Sequence, residues 1–452
     1  MFPRIVVVVP TRNRADTLRS CLKTFGACDY PNLGMVVANN ASDDDTLEVL
    51  DSIRDSRIKV ISTDRRVGMS QNFEFALQDV LQHEDDSAYV TIIGDDDGVL
   101  NLGFERIGGV LAEFSGIEAF TWRYPGYSWP SVVDKAMPNV LDVPLDFTGP
   151  TARDASEVFQ SFVSGKVRYT DLARVYHGLV KVSLLRRLVR NGRLIHAMAP
   201  DIYLGVVSTL SVEKIVEIPF PLTINGASGH STGSLAVIGG KPRKAGSQAS
   251  QFYAEANLDP HPSVGMVPPT LRICEFESLQ FARDHGFWSG QVEPGEEFHL
   301  MLKEGAGASE EQVLKIEAVL EGIASFFKWE SFLLAEKDAF DAGSSVREGK
   351  NRQDFDFGWN RVSKRFRVKC DQFKVSDIEG AVRIADFLYR FREFIEGDQA
   401  RESGVSEFCD VEGLEAFASL RKENERLKKK IKQLNSSVFV RFFIRFQRLF
   451  AR

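Results

Sequence analysis

The chain has 452 residues, 43% hydrophobic and 26% charged, with a formal net charge of −7. That composition describes a soluble globular protein of two or three domains with a large core, and excludes disordered and fibrous chains. Eleven Lys/Arg and two Glu fall within residues 421–452, so the body is more acidic than the total, which argues against a nucleic-acid enzyme with a basic face.

Five scattered cysteines, without a CxxC pair, suit a reducing compartment better than a disulfide framework. The run Ile5 to Val9 is too short for a signal peptide or a membrane span, so the expectation is a protein made and kept in the cytosol. The same β-branched run, closed by Pro10, has the pattern of a strand buried on both faces of a parallel sheet. Thr11 to Leu18 then leads into a helix through Leu18, Leu22 and Phe25, with Arg12 and Arg14 placed where a helix start meets phosphate. A second strand, Met35 to Ala38, ends in Asn39-Asn40-Ala41-Ser42-Asp43-Asp44-Asp45-Thr46, residue types that cap a helix or hydrogen-bond a base and ribose. A third, Ile58 to Ile61, precedes a helix bearing Phe73, Phe75, Ala76, Leu77 and Val80. This alternation predicts an α/β fold with a Rossmann-like, mostly parallel sheet.

The fourth strand, Tyr89 to Ile93, delivers Gly94-Asp95-Asp96-Asp97-Gly98 beyond its carboxyl end, the edge at which open α/β sheets hold ligands. Three adjacent carboxylates repel one another unless a cation or strong donors lie among them, and their oxygens suit Mg or Mn. A solvated acidic turn is the alternative.

Four strings in this order, VVVVPTRNRADTLRSCL, NNASDDDT, VGMSQNFEFAL and GDDDG, resemble a family 2 glycosyltransferase of the GT-A fold over residues 1–235. The resemblance implies an inverting enzyme of the bacterial surface-glycan type with a nucleotide-sugar donor and a divalent cation, Mn or Mg. It implies a non-processive one, because the QxxRW motif and membrane spans of processive relatives do not occur. Carried onto this chain, Pro10, Thr11 and Arg14 border the base, and Asn39 stands where the family commonly has an aspartate. Asp44 matches the next acidic position, Asp95 and Asp96 approach ribose and diphosphate, and Asp97 is the principal metal ligand. Asp201, in Ala199-Pro200-Asp201, resembles the catalytic base that takes the acceptor hydroxyl's proton, or is an ordinary helix cap. The loop Asn225 to Gly233 has the residues to wrap a diphosphate, with His230 as a further Mn ligand or as part of a plain surface loop. Trp122, Tyr124, Tyr127 and Trp129 are candidates to stack on the acceptor, or pin their loop to the core.

Residues 236–270 read as a linker or draped loop. Residues 271–410 read as a mainly helical domain, or one docked on the catalytic domain, with helices starting at Ser309 and Ser376 and histidines 261, 285 and 299, isolated in sequence, read as satisfied structural residues. Phe417, Leu420, Asn424, Leu427, Ile431, Leu434 and Val438 fall on heptad positions, so 411–437 reads as a coiled coil able to form a homodimer. In 438–452, Arg441, Arg445, Arg448 and Arg452 form one basic stripe on a phenylalanine-rich helix, suited to a membrane interface and too short to span it. The expected whole is a peripheral enzyme on the inner face of the cell membrane, acting on a glycan or lipid-linked acceptor and not on nucleic acid. A nucleotidyltransferase and a non-catalytic membrane scaffold are the alternatives.

Overall fold

The computed structural model describes residues 2–132, 137–145, 149–229, 231, 258–306, 308, 310–344, 357–360 and 363–392. The coiled-coil and membrane-helix expectations for 411–452, with the homodimer and membrane contact they imply, lie outside those residues.

Three βα steps and a fourth strand open the chain: β1 (Ile5–Thr11), α1 (Ala15–Gly26), β2 (Leu33–Asn39), α2 (Thr46–Asp51), β3 (Ile58–Ser62), α3 (Met69–His83) and β4 (Tyr89–Ile92). These strands are parallel, in the order β3-β2-β1-β4. The valine run explains why the sheet is covered on both sides. Ile5, Val7 and Val9 pack with Leu18, Cys21 and Phe25 of α1, whereas Val6 and Val8 pack with Phe73, Ala76, Leu77 and Val80 of α3.

Next come β5 (Gly98–Val99), α4 (Asn101–Glu113), β6 (Ala119–Thr121), β7 (Gly126–Ser128), β8 (Val140–Pro144), β9 (Thr151–Asp154) and α5 (Ala155–Val163). They are followed by β10 (Gly178–Lys181), α6 (Val182–Leu188), α7 (Pro200–Thr209), β11 (Lys214–Glu217) and β12 (Thr223–Ala227). β10 lies antiparallel to β4 and extends the first sheet to β3-β2-β1-β4-β10-β6-β11-β9, a mixed sheet. A second sheet has the order β8-β7-β12-β5, with two later strands, β13 (Gly358–Asn360) and β14 (Arg365–Lys369), continuing it past β8 as β13-β14-β8.

The carboxyl-terminal helical region is docked on the α/β body. Helices α8 (Leu271–Asp284), α9 (Pro294–Gly305), α10 (Glu310–Phe327) and α11 (Glu330–Ser344) share one buried core with α3, α5, α6 and α7. β13 (Gly358–Asn360) and β14 (Arg365–Lys369) then return to the second sheet, where β14 pairs with β8 from Arg365–Pro144 to Lys369–Val140. α12 (Ile378–Arg390), capped by Asp377, covers that sheet and packs on α1 and α4. The described end of the predicted draped loop is packed too: His261, Ser263 and Val264 are buried. The three histidines read as structural each have a neighbour, with His261 on Asp284, His285 against His196 and His299 facing Glu336.

Candidate active site

The aspartate turn joins β4 to β5 at the edge shared by the two sheets. Asp97 has no exposed surface, and both of its oxygens are engaged. Oδ2 accepts from the Gly94 amide at 2.5 Å, the Tyr176 hydroxyl at 2.9 Å and His177 Nε2 at 3.1 Å, and Oδ1 accepts from the Gly226 amide at 2.6 Å. His177 also meets Thr223 Oγ1 through Nδ1 at 2.7 Å and the Asn225 side-chain amide through Nε2 at 3.3 Å, and Trp122 Nε1 donates to the same Thr223 hydroxyl at 3.1 Å. Four donors compensate the desolvation of one carboxylate. Asp97, expected as the principal metal ligand, is thus buried with protein donors on both of its oxygens.

Asp95 and Asp96 stand above it, 7% and 6% exposed. Thr11 Oγ1 donates to Asp95 at 2.7 Å, and Asp96 accepts from the Ser228 amide at 3.2 Å and Ser231 Oγ at 2.5 Å. Burial pushes Asp95 up from its ordinary 3.8 to about 7, with Arg14 and Thr11 pulling down and Asp96 pushing up. Burial and then the Asp97 charge raise Asp96, opposed by Arg14. Arg14 Nη1 also reaches Ser228 Oγ at 3.3 Å, so the first loop, the aspartate turn and the glycine-hydroxyl loop meet at one place. His230 lies outside the described residues.

That meeting requires a glycine. A Cβ on Gly226 would lie 1.8 Å from the Asp96 carbonyl oxygen, which already accepts from Trp129 Nε1 at 2.9 Å. Gly226→Ala is expected to destabilise the protein by about 3 kcal/mol, because the clash is with backbone. Denaturant unfolding measures this, and a change below about 0.5 kcal/mol, the usual range for an uncritical surface site, would show that the close approach is dispensable.

The other sequence-predicted residues divide between rim and core. Pro10 is half-buried near the end of β1. Asn39, at the end of β2, donates to Ser62 Oγ and accepts from the Ser42 amide, both at 3.3 Å. Asp44 accepts from the Thr46 amide at 2.9 Å and the Ala15 amide at 3.3 Å. Burial raises its pKa, and these hydrogen bonds outweigh burial and hold it below the ordinary value. Trp122, Tyr127 and Trp129, expected as an acceptor platform, are packed in the cores, with their polar atoms bonded to Thr223, Asn139 and Asp96. Their rings face protein on all sides, so they pin the loop. Tyr124 alone of the four keeps partial exposure, stacked on His177 at 4.6 Å and under the Arg174 guanidinium at 4.8 Å.

Asp201 sits in the first turn of α7 behind Pro200, its carboxylate bonded to the backbone amides of Asp201 and Ile202. Burial raises its pKa, opposed by those amides and by the charges of Arg174 and His177. Tyr176, whose hydroxyl holds Asp97, also feels the Asp201 charge, so Asp201 and the aspartate turn share one electrostatic neighbourhood. Sequence reasoning missed Arg174, Tyr176, His177 and Thr223. The available signal was a histidine inside the apolar stretch Tyr176 to Val180, at a backbone φ of +50°, beside Gly178, whose Cβ would meet the Arg174 carbonyl oxygen at 2.1 Å.

Residues 6–107 match the family model Glycosyl transferase family 2. The match supports glycosyltransferase activity. It runs from β1 into α4 and takes in Thr11, Arg14 and the aspartate turn, ending before Arg174, Tyr176, His177 and Asp201. No curated protein matches the chain. Two solved structures show distant likenesses. One is S. aureus TarS 1-349 in complex with UDP-GlcNAc, at 14% identity and TM-score 0.42 over 75% of this chain and 92% of that one. The other is the mannosyltransferase PcManGT from Pyrobaculum calidifontis in complex with GDP-Man and Mn2+, at 16% identity and TM-score 0.37 over 87% and 88%.

Among the described residues no group of three or more His, Cys, Asp or Glu forms a metal cage. The pair Asp95 and Asp96 nevertheless fits the Mg mode, in which one or two carboxylates and substrate phosphates share the ion. Two buried carboxylates with raised proton affinity are groups that a cation would relieve.

The same burial sets a pH dependence. Asp95, Glu277 and Asp386 are each raised to about 7 by burial, from 3.8, 4.5 and 3.8. A carboxyl that binds its proton more tightly when folded stabilises the fold fully below its unfolded pKa, and loses that contribution as pH rises through about 7. The ligand-free protein should therefore melt at a lower temperature at pH 8 than at pH 5.5. A thermal unfolding series across that window checks this, and a rising Tm would contradict it.

Proposed function

We propose that this protein is an inverting, metal-dependent, non-processive glycosyltransferase that moves a sugar from a nucleotide diphosphate to an acceptor hydroxyl in cell-surface glycan assembly. The observation that carries the reading is the buried set Asp97, Tyr176 and His177, in contact with one another, with the charge of Asp97 acting on Asp96 on one side and Asp201 acting on Tyr176 and feeling His177 on the other. That arrangement supports a donor side and an acceptor side in one electrostatic neighbourhood.

Thr11, Arg14 and the Ser228 loop supply hydrogen-bond donors and one positive charge at the donor side, where a diphosphate needs both. Asp95 and Asp96 would hold a Mg or Mn ion whose charge offsets that of the departing diphosphate. On the acceptor side Asp201 takes the hydroxyl proton as the oxygen attacks. Burial raises its proton affinity above that of an ordinary carboxylate, the direction a general base needs, and the amides of the helix start with Arg174 and His177 oppose that rise. Asp97 keeps the turn, Tyr176 and His177 in register. The basic, phenylalanine-rich sequence 438–452 favours an acceptor at a membrane surface, such as a lipid-linked glycan.

The test is a panel of nucleotide sugars incubated with the purified protein and Mn or Mg, scored for release of nucleoside diphosphate. One active donor with metal-dependent release is the expected result. Silence across the panel together with turnover of nucleoside triphosphates would replace this reading by a nucleotidyltransferase.

A further inference from the structure

The segment that launches Asp201 is held from two sides. On one side α3 supplies Glu74, whose carboxylate accepts from the Leu194 amide at 3.0 Å and the Ile195 amide at 2.8 Å, and Ser70, whose hydroxyl lies 3.1 and 2.8 Å from the Ala197 and Met198 carbonyl oxygens. On the other side stands α8, beyond the family match. Its Glu277 has no exposed surface and accepts from the Met198 amide at 3.2 Å and the His261 amide at 3.1 Å. Met198 is three residues before Asp201.

α8 is itself anchored to the catalytic body. Buried Arg272 donates to the Val163 carbonyl at the end of α5 at 3.0 Å and pairs with Glu297 of α9 at 2.6 Å and Glu275 at 3.0 Å. Arg272 thus ties α8 to α5 and α9. One turn from Glu277, Cys274 feels the Asp201 charge, as does Tyr169, whose backbone is bonded by Glu275. One face of α8 thus borders the Asp201 environment while Glu277 grips the segment leading into α7.

We propose that α8 backs the segment that carries Asp201 and that Glu277 is a positioning residue, holding the start of α7 so that Asp201 meets the acceptor. The inference rests on the reading of Asp201 as the base. It assigns the helical region a part in catalysis, because a carboxylate displaced by an ångström at a reacting centre loses rate without losing the donor.

The experiment compares Glu277→Gln, Glu277→Ala and Asp201→Asn with the parent full-length protein. Hydrogen exchange of the amides from Ala197 to Leu204 should quicken at least about tenfold in Glu277→Ala while β1 to β4 keep their protection. With the active donor of the panel, Mn and water as acceptor, kcat should fall by about ten- to a hundredfold in Glu277→Ala, and less in Glu277→Gln, which keeps one acceptor oxygen. Binding of UDP and GDP should be unchanged in both. A merely structural role would lower Tm with kcat intact below the transition, and that outcome overturns the proposal. So does parent-like exchange at 197–204, or a Glu277→Gln protein that does not fold. Parent-like turnover in Asp201→Asn would instead remove the reading of the base, leaving the exchange data to judge the role of α8.

Discussion

Replacing Asp97 by alanine is expected to cost the fold about 3–5 kcal/mol and to abolish activity as a consequence. The four donors that meet this carboxylate, from Gly94, Gly226, Tyr176 and His177, would be left buried and unpaired, and removing one partner from a buried charged network has that order of cost. Urea unfolding of Asp97→Ala beside the parent measures the loss. A variant with parent stability and no metal-dependent turnover would restore Asp97 to the role of an edge-facing ligand. Asp97→Asn is informative as well, because its amide nitrogen cannot accept and would face a donor on one side or the other. It should recover part of the stability and little of the activity.

Asp201→Asn should reduce transfer by a factor of about 10³ or more while nucleotide binding is retained. The substitution keeps the shape and removes the proton acceptor, and general-base catalysis supplies about 10²–10⁴ in rate. Calorimetry with UDP and GDP, alongside initial rates with the active donor, separates the two quantities. Asp201 lies in the field of Arg174 and His177 rather than in contact with Asp95, so the donor side should not register the change. Equal loss of binding and rate would make Asp201 a structural group. Full turnover would exclude it from the mechanism.

The first half of this fold was legible because its signals are local. A run of five β-branched residues has both faces apolar, so Ile5 to Val9 announces a covered parallel strand, and Tyr89 to Ile93 followed by glycine and three aspartates announces a strand that ends at a ligand edge. The grouping of Thr11, Arg14, Asp95 and Asp96 followed from that edge. What each aspartate does there was not legible. Asp95, Asp96 and Asp97 are adjacent and chemically identical in sequence, and only the backbone turn sends Asp97 inward to Tyr176, His177 and Gly226, between 79 and 129 residues away. The aromatic loop was ambiguous for the same reason, since a tryptophan that stacks on a sugar and one that pins a loop have the same sequence. Here Trp122 and Trp129 spend their indole N–H groups on Thr223 and the Asp96 carbonyl.

The carboxyl-terminal region shows where periodicity stops being informative. Its apolar faces predicted helices, and α8 to α12 exist, but a helical face states only that a partner is needed and not which one. The partner of α8 is α7 with its Asp201, and the partner of β14 is β8, more than 220 residues earlier. By itself, then, the sequence determined the parallel α/β half, the edge where chemistry is placed and the residue types gathered there, because burial period and strand ends are written in neighbouring residues. Only the tertiary structure decided which carboxylate is buried as an anchor, which aromatics are core, and that a distant helix stands behind Asp201, because each of these depends on hydrogen bonds between segments that meet only when the chain has folded.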